Sequence, residues 1–204
     1  MLIPAVRAEE RTVPPASDPS TIPAIAEFLA SGFGTLHSDA PAQTNEFGRL
    51  VGVWSVEQEL RIRNGEWMAS APGTWAWKYV LDGFAVSDLW YQSGDSLPIY
   101  MAGLKRDYLL SATRIFEVSS GKWRVAWLAN GAGKTPGADF GTFEAELVDD
   151  EIVMTSPPEP GPFGLQRVVF YEITDDSFRW RSDYSPDDGE TWNTVMRMHA
   201  TRVK

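Results

Sequence analysis

The stretch Gly52-Val53-Trp54-Ser55-Val56-Glu57-Gln58-Glu59-Leu60-Arg61-Ile62-Arg63-Asn64-Gly65 decides the fold. Trp54, Val56, Gln58, Leu60 and Ile62 alternate with Ser55, Glu57, Glu59, Arg61 and Arg63, so one side is almost wholly apolar and the other almost wholly charged. A period of two belongs to a strand with one face on a core and the other in water. Asn64-Gly65 follows, and because both residues tolerate positive φ this is the strongest two-residue signal for a hairpin. The chain therefore turns straight back beside its first strand.

Downstream the same grammar repeats. Strands are expected near 73–81 and 84–92 around Asp82-Gly83, near 109–118 and 122–129 around Ser119-Ser120-Gly121, and near 140–148 and 151–156 around Asp149-Asp150. Three more, near 165–173, 177–185 and 191–203, flank Thr174-Asp175-Asp176 and Pro186-Asp187-Asp188-Gly189, and a weaker candidate covers 99–105. About ten sequential strands with no helices between them predict an all-β chain folded as a closed antiparallel up-and-down β-barrel, since closure removes the exposed edges of an open sheet.

Upstream the period lengthens to that of a helix. A short helix is expected over Ile22–Ser31, with Pro23 near its start and Gly32 as a stop, and a second turn over Thr44–Leu50, capped by Thr44 or Asn45, with Phe47 and Leu50 on one face. Residues 1–20 are rich in proline and charge without a period, which predicts an extended or partly disordered arm before a single barrel domain over 21–204.

Composition narrows the function classes. The 28 acidic against 18 basic residues give a formal charge of −10, which repels a phosphate backbone and argues against nucleic acid as a partner. With no cysteine, disulfides and thiolate chemistry are excluded. Residues 1–10 lack the charged region and long apolar core of a secretory signal, and no later stretch reaches the roughly 20 apolar residues that span a bilayer, so a soluble, cytoplasmic protein without a membrane partner is expected. Nine Trp, six Tyr and ten Phe are the unusual feature: such rings build cores and also hold flat apolar molecules.

Gly52-Val53-Trp54 at the start of the first strand, preceded by a helical turn, and Arg202 in the last strand resemble the calycin superfamily, as do Leu81-Asp82-Gly83-Phe84 and Arg114-Ile115-Phe116-Glu117 leading to Gly121-Lys122-Trp123-Arg124-Val125 for its lipocalin-like bacterial members of uncharacterised function. The resemblance implies that Trp54 packs beneath Arg202 and closes one end of the barrel. Alternation gives an independent reason. Trp192, Thr194, Met196, Met198, Ala200 and Arg202 share one face of the last strand, and an Arg among Trp and Met needs a stacking or pairing partner, which the Trp54 ring can supply.

Polar residues on apolar faces are the candidates for work on a ligand. Asp88 shares parity with Val86 and Trp90, and Arg114 with Leu110, Ala112 and Phe116. A carboxylate buried without a cation has a raised pKa and serves as a general acid or base, whereas one paired with Arg114 or Arg202 holds the barrel closed. The ligand-contacting set read from these faces is Trp54, Trp75, Trp77, Tyr79, Trp90, Arg114, Trp127, Trp180, Tyr184 and Arg202.

The first functional reading is binding of a small hydrophobic or aromatic metabolite in the barrel. The second is a lyase or isomerase using Asp88 and Tyr184 for acid/base chemistry, the third a haem protein through His199, and the fourth an interaction module with a filled interior. His199 falls on the opposite face from Arg202, which opposes haem. Two His, no Cys and no paired-His spacing point to no metal, and no cofactor is expected. Gly131-Ala132-Gly133-Lys134-Thr135 ends like a phosphate loop, but Leu128 stands where the first Gly is needed and Pro136-Gly137 deny the helix. Ser185-Pro186-Asp187-Asp188-Gly189-Glu190-Thr191-Trp192 matches an Asp-box turn and is read as a stiff hairpin. A homodimer is left open.

Overall fold

The computed structural model describes residues 18–62, 64–96, 106–131, 139–157 and 164–204. Ten strands follow one another: β1 (Gly52–Arg61), β2 (Trp67–Val80), β3 (Ala85–Gln92), β4 (Tyr108–Glu117), β5 (Lys122–Ala129), β6 (Asp139–Val148), β7 (Glu151–Thr155), β8 (Leu165–Tyr171), β9 (Ser177–Ser185) and β10 (Asn193–Arg202). Each pairs antiparallel with its neighbour in sequence, and β10 returns to β1, closing the barrel. The strand expected over 99–105, most of the arm over 1–20 and the loop after Gly131 lie outside the described residues.

Two register shifts depart from simple alternation. Val56 faces Gly73 but Gln58 faces Ser70, so β2 carries one extra residue there, and Pro72 lies in that stretch. Proline has no N–H for a ladder, and a bulge is where a strand accommodates it. This interruption hid the first six of the fourteen residues of β2, which begins at Trp67 rather than near 73. In β10, Thr194 faces Asp183 while Met196 faces Ser182. The extra residue turns Thr194 outward, where its hydroxyl donates to Asp183 at 2.8 Å, and Trp192 lies under the Arg167 guanidinium at 4.2 Å. Both had been expected to share the inward face with Arg202. The Asp-box hairpin between β9 and β10 forms as read: Asp187 accepts from the Thr191 amide at 2.8 Å, and Ser185 Oγ accepts from the Gly189 amide at 2.7 Å.

Two short helices precede the sheet, α1 (Pro23–Phe28) and α2 (Thr44–Gly48). The first lies against the outside of the barrel, where Ile22 and Ile25 bury themselves on Ala76, with Val53 and Leu89 beside them. Among these described helices none is long and apolar enough to cross a membrane. The second plugs one end. Phe47 and Leu50 are fully buried, and the Phe47 ring meets Trp123 edge-on at 4.8 Å. Neither Thr44 nor Asn45 caps this helix: Gln43 holds the N-cap position without a side-chain bond, and the Thr44 hydroxyl is buried without a partner.

The two ends of the barrel meet at Arg202. Trp54 stands opposite it in the register, and the guanidinium lies 4.0 Å from the Trp54 ring centroid. The same side chain donates to the carbonyls of Val51 at 2.7 Å and Arg49 at 3.2 Å, and to that of Asp175. The Trp54 indole N–H donates to Leu50 at 2.7 Å. A Cβ on Gly52 would stand 2.2 Å from Arg202 Nη1, so only glycine leaves room for the clasp. Arg202→Ala removes a partly desolvated cation–π contact and charge-assisted hydrogen bonds, an expected loss of about 2–4 kcal/mol. Urea unfolding checks this, with Arg197→Ala on the outer face as the comparison expected to cost under about 1 kcal/mol.

Candidate functional site

Alternation aims one set of side chains from every strand at the barrel axis, and their burial divides the interior into two halves. At the end sealed by α2, Trp54, Trp77, Trp123, Phe170 and Phe178 are at most 1% exposed. This half is solid. At the opposite end, the inward residues Leu60, Tyr108, Leu110, Trp127, Trp180, Met196 and Met198 remain partly accessible although the strand ladder surrounds them. Among the described residues, this accessible surface inside the closed wall leaves a hollow. Its wall is mainly aromatic and aliphatic, with buried Gln58 and Gln92 from β1 and β3, Gln166, Ser182 and Tyr184 from β8 and β9, and Asp139 at the rim of β6 adding polar groups, and the Gln166 amide donates to Ser182 at 3.2 Å.

Trp75 forms the floor between the halves. It touches Trp77, Trp90, Phe170, Phe178 and Trp180, with ring centroids 5.0 to 6.5 Å apart. Below it Asp88 and Arg114 form a buried pair, with Arg114 Nη2 2.8 Å from Asp88 Oδ2. The other carboxylate oxygen accepts the Ala112 amide at 2.9 Å. Both oxygens are thus engaged by protein donors. The guanidinium also lies 4.3 Å from the Trp77 ring centroid and 5.0 Å from that of Phe47. Burial pushes the Asp88 carboxyl above the usual carboxylate range, opposed by the Arg114 charge, the Ala112 amide and the nearby Trp75 indole. The N–H groups of Trp75 and Trp77 and Arg114 Nε are buried without acceptors. Burial likewise raises the Tyr184 hydroxyl above the ordinary tyrosine value, keeping it protonated at neutral pH.

The ten residues singled out from sequence therefore separate. Trp127, Trp180 and Tyr184 border the hollow, and Trp75 and Trp90, each 5% exposed, pack together at its floor. Arg114 is sequestered with Asp88 beneath that floor. Trp54, Trp77, Tyr79 and Arg202 belong to the sealed end, where the Tyr79 hydroxyl reaches Asn45 at 3.5 Å and Arg202 covers Trp54. Asp88 and Tyr184, the acid/base pair considered from sequence, fall on opposite sides of the Trp75 floor. His199 is exposed opposite Glu57 on the outer face. Among the described residues no group of three or more His, Asp or Glu side chains could hold a metal ion.

Sequence reasoning passed over Leu110, Tyr108, Met196 and Met198 as cavity-lining residues. Parity placed Leu110, Met196 and Met198 inward, and Tyr108 lay just before the strand expected near 109–118, but nothing in parity tells which end of a strand is packed and which is hollow. The decisive signal was α2 and the turn after it, whose Phe47 and Leu50 fill only the end they can reach.

No protein-family model and no curated protein matches this chain. Among solved structures it is similar to the S-type phycobiliprotein lyase CPES from Guillardia theta, at 13% identity, covering 78% of this chain and 90% of that one with a TM-score of 0.48. It is also similar to Rv2717c from M. tuberculosis, at 9% identity, covering 81% of this chain and all of that one with a TM-score of 0.49.

Proposed function

We propose that the protein binds a small, largely apolar or aromatic molecule in the open half of its barrel. The observation that carries this reading is the contrast between the halves: a sealed, fully buried aromatic plug, then a ring of partly accessible apolar side chains inside the same wall. Exposed apolar surface in a concave site is stabilised by an apolar occupant, at about 25 cal/mol per Å² removed from water.

Carriage is favoured over catalysis by Asp88. Its two oxygens already accept from Arg114 and Ala112, and the Trp75 floor separates it from the hollow. A general acid or base needs hydrogen-bond reach to its substrate. The haem reading loses its ligand, since His199 points away from the interior.

The binding reading is tested by titrating the protein with small aromatic and terpenoid compounds while following tryptophan emission, in parallel with Leu110→Trp, which fills the hollow. Saturable quenching by at least one compound, weakened about tenfold or more (about 1.4 kcal/mol) in the variant, is expected. No saturable binding by any compound would overturn the proposal and favour the interaction module.

The pairing of Asp88 with Arg114 gives a second test. Asp88→Asn strands a buried guanidinium and should cost about 3–5 kcal/mol, whereas Asp88→Leu with Arg114→Met removes both charges and should recover most of that loss. Chemical denaturation measures both. A carrier keeps its ligand affinity in the double variant; an enzyme relying on Asp88 loses about 10²-fold or more in turnover.

A further inference from the structure

Two glycines point to the shape of the occupant. Gly141 of β6 stands opposite Trp127 of β5, and a Cβ at Gly141 would lie 2.5 Å from Trp127 Nε1 and 2.6 Å from Cε2. A Cβ at Gly73 of β2 would lie 2.2 Å from Trp90 Cη2 and 2.4 Å from Cζ2. Separations under 3 Å are not met by real Cβ atoms, and here the neighbours are the rigid Trp127 and Trp90 rings. Each indole is therefore folded back over the bare backbone of the adjacent strand instead of projecting across the barrel. Glycine costs a strand interior stability because it packs nothing and loses more chain entropy on folding. In both places an indole is laid along the wall: Trp127 stays partly accessible, and Trp90 packs into the floor beside Trp75.

Charge narrows the occupant further. Among the described residues, those facing the open half are apolar or carry amides and hydroxyls, apart from the carboxylate of Asp139, which shares the Gly141 face at the rim of β6. The charges beneath the floor, Asp88 and Arg114, neutralise each other. An anionic ligand would lose its hydration and meet the Asp139 carboxylate rather than a cation, whereas a neutral ring system would lose little and gain stacking on indole.

Resting on the binding function proposed above, we infer that Gly73 and Gly141 are specificity-determining positions that hold Trp90 and Trp127 against the wall, and that the hollow selects a neutral, planar ring system over a saturated or an anionic one of the same size.

Three matched probes test this by isothermal titration calorimetry: 2-naphthol, its saturated counterpart decahydro-2-naphthol, and naphthalene-2-sulfonate. The expected order is 2-naphthol tightest, with each of the others at least about tenfold weaker. In Gly141→Ala and Gly73→Ala, 2-naphthol should weaken by a similar factor as the displaced ring enters the hollow. Should either glycine variant fail to fold, Trp127→Leu takes its place, with loss of the preference for 2-naphthol over decahydro-2-naphthol expected. Equal binding of the planar and saturated probes, or of the neutral and anionic ones, overturns the inference. So does unchanged 2-naphthol affinity in the folded glycine variants, or an unchanged preference in Trp127→Leu. If the wider aromatic and terpenoid screen finds ligands while 2-naphthol does not bind, this inference fails and the binding function stands. If neither the screen nor the three probes bind, both fail.

Discussion

Everything in this barrel depends on one guanidinium. Arg202 stacks on Trp54 and ties down the carbonyls of the segment leading into β1 and of the turn before β9, so the last strand is fastened to the first at the point where the ladder must close. A closed ladder has no edge strand, and so no row of unpaired amides open to another chain. It also encloses a volume that side chains must either fill or leave vacant. Here the plug of Phe47 and Leu50 fills the end beneath the clasp, and among the described residues the far end is less completely filled.

The interior is thus graded from solid to hollow, and each polar group sits according to that gradient. The Asp88–Arg114 pair lies where water cannot reach, so its members satisfy each other; a buried pair of this kind gains little net stability but is costly to break. Gln166, Ser182 and Tyr184 lie on the accessible side, where amides and hydroxyls can orient a guest without the desolvation cost of a charge. The outer face follows a different rule. Arg167, Arg181 and Arg197 lie over Trp192, Tyr171 and Trp67, covering aromatic surface that a ten-strand sheet would otherwise present to solvent.

Much of this was legible in the sequence because a period of two is unambiguous when one face is apolar. The alternation from Trp54 to Ile62, the Asn64-Gly65 turn and the parity of Asp88, Arg114 and Arg202 needed no structure. The misplaced residues share a cause. Trp192 and Thr194 turned outward, and the beginning of β2 went unseen, because each lies beyond a bulge. A bulge is a relation between two strands: one residue on the partner faces two on the bulged strand, and nothing in a single strand announces it. Pro72 was the one local hint. The site was less legible than the fold for a similar reason. Parity says which residues face the axis; whether the axis is packed at that height depends on what other segments bring there.

The crowding of rings around Trp75 has an optical consequence. Its ring centroid lies 5.0 Å from that of Trp77, 5.6 Å from Trp90 and 6.5 Å from Trp180. At such separations electronic excitation migrates between indoles faster than it is emitted, so light absorbed anywhere in the group is shared by its members. The interior behaves as one antenna rather than as a collection of separate fluorophores. An acceptor seated against a single member would drain the whole group, and the barrel therefore carries its own collective reporter of occupancy.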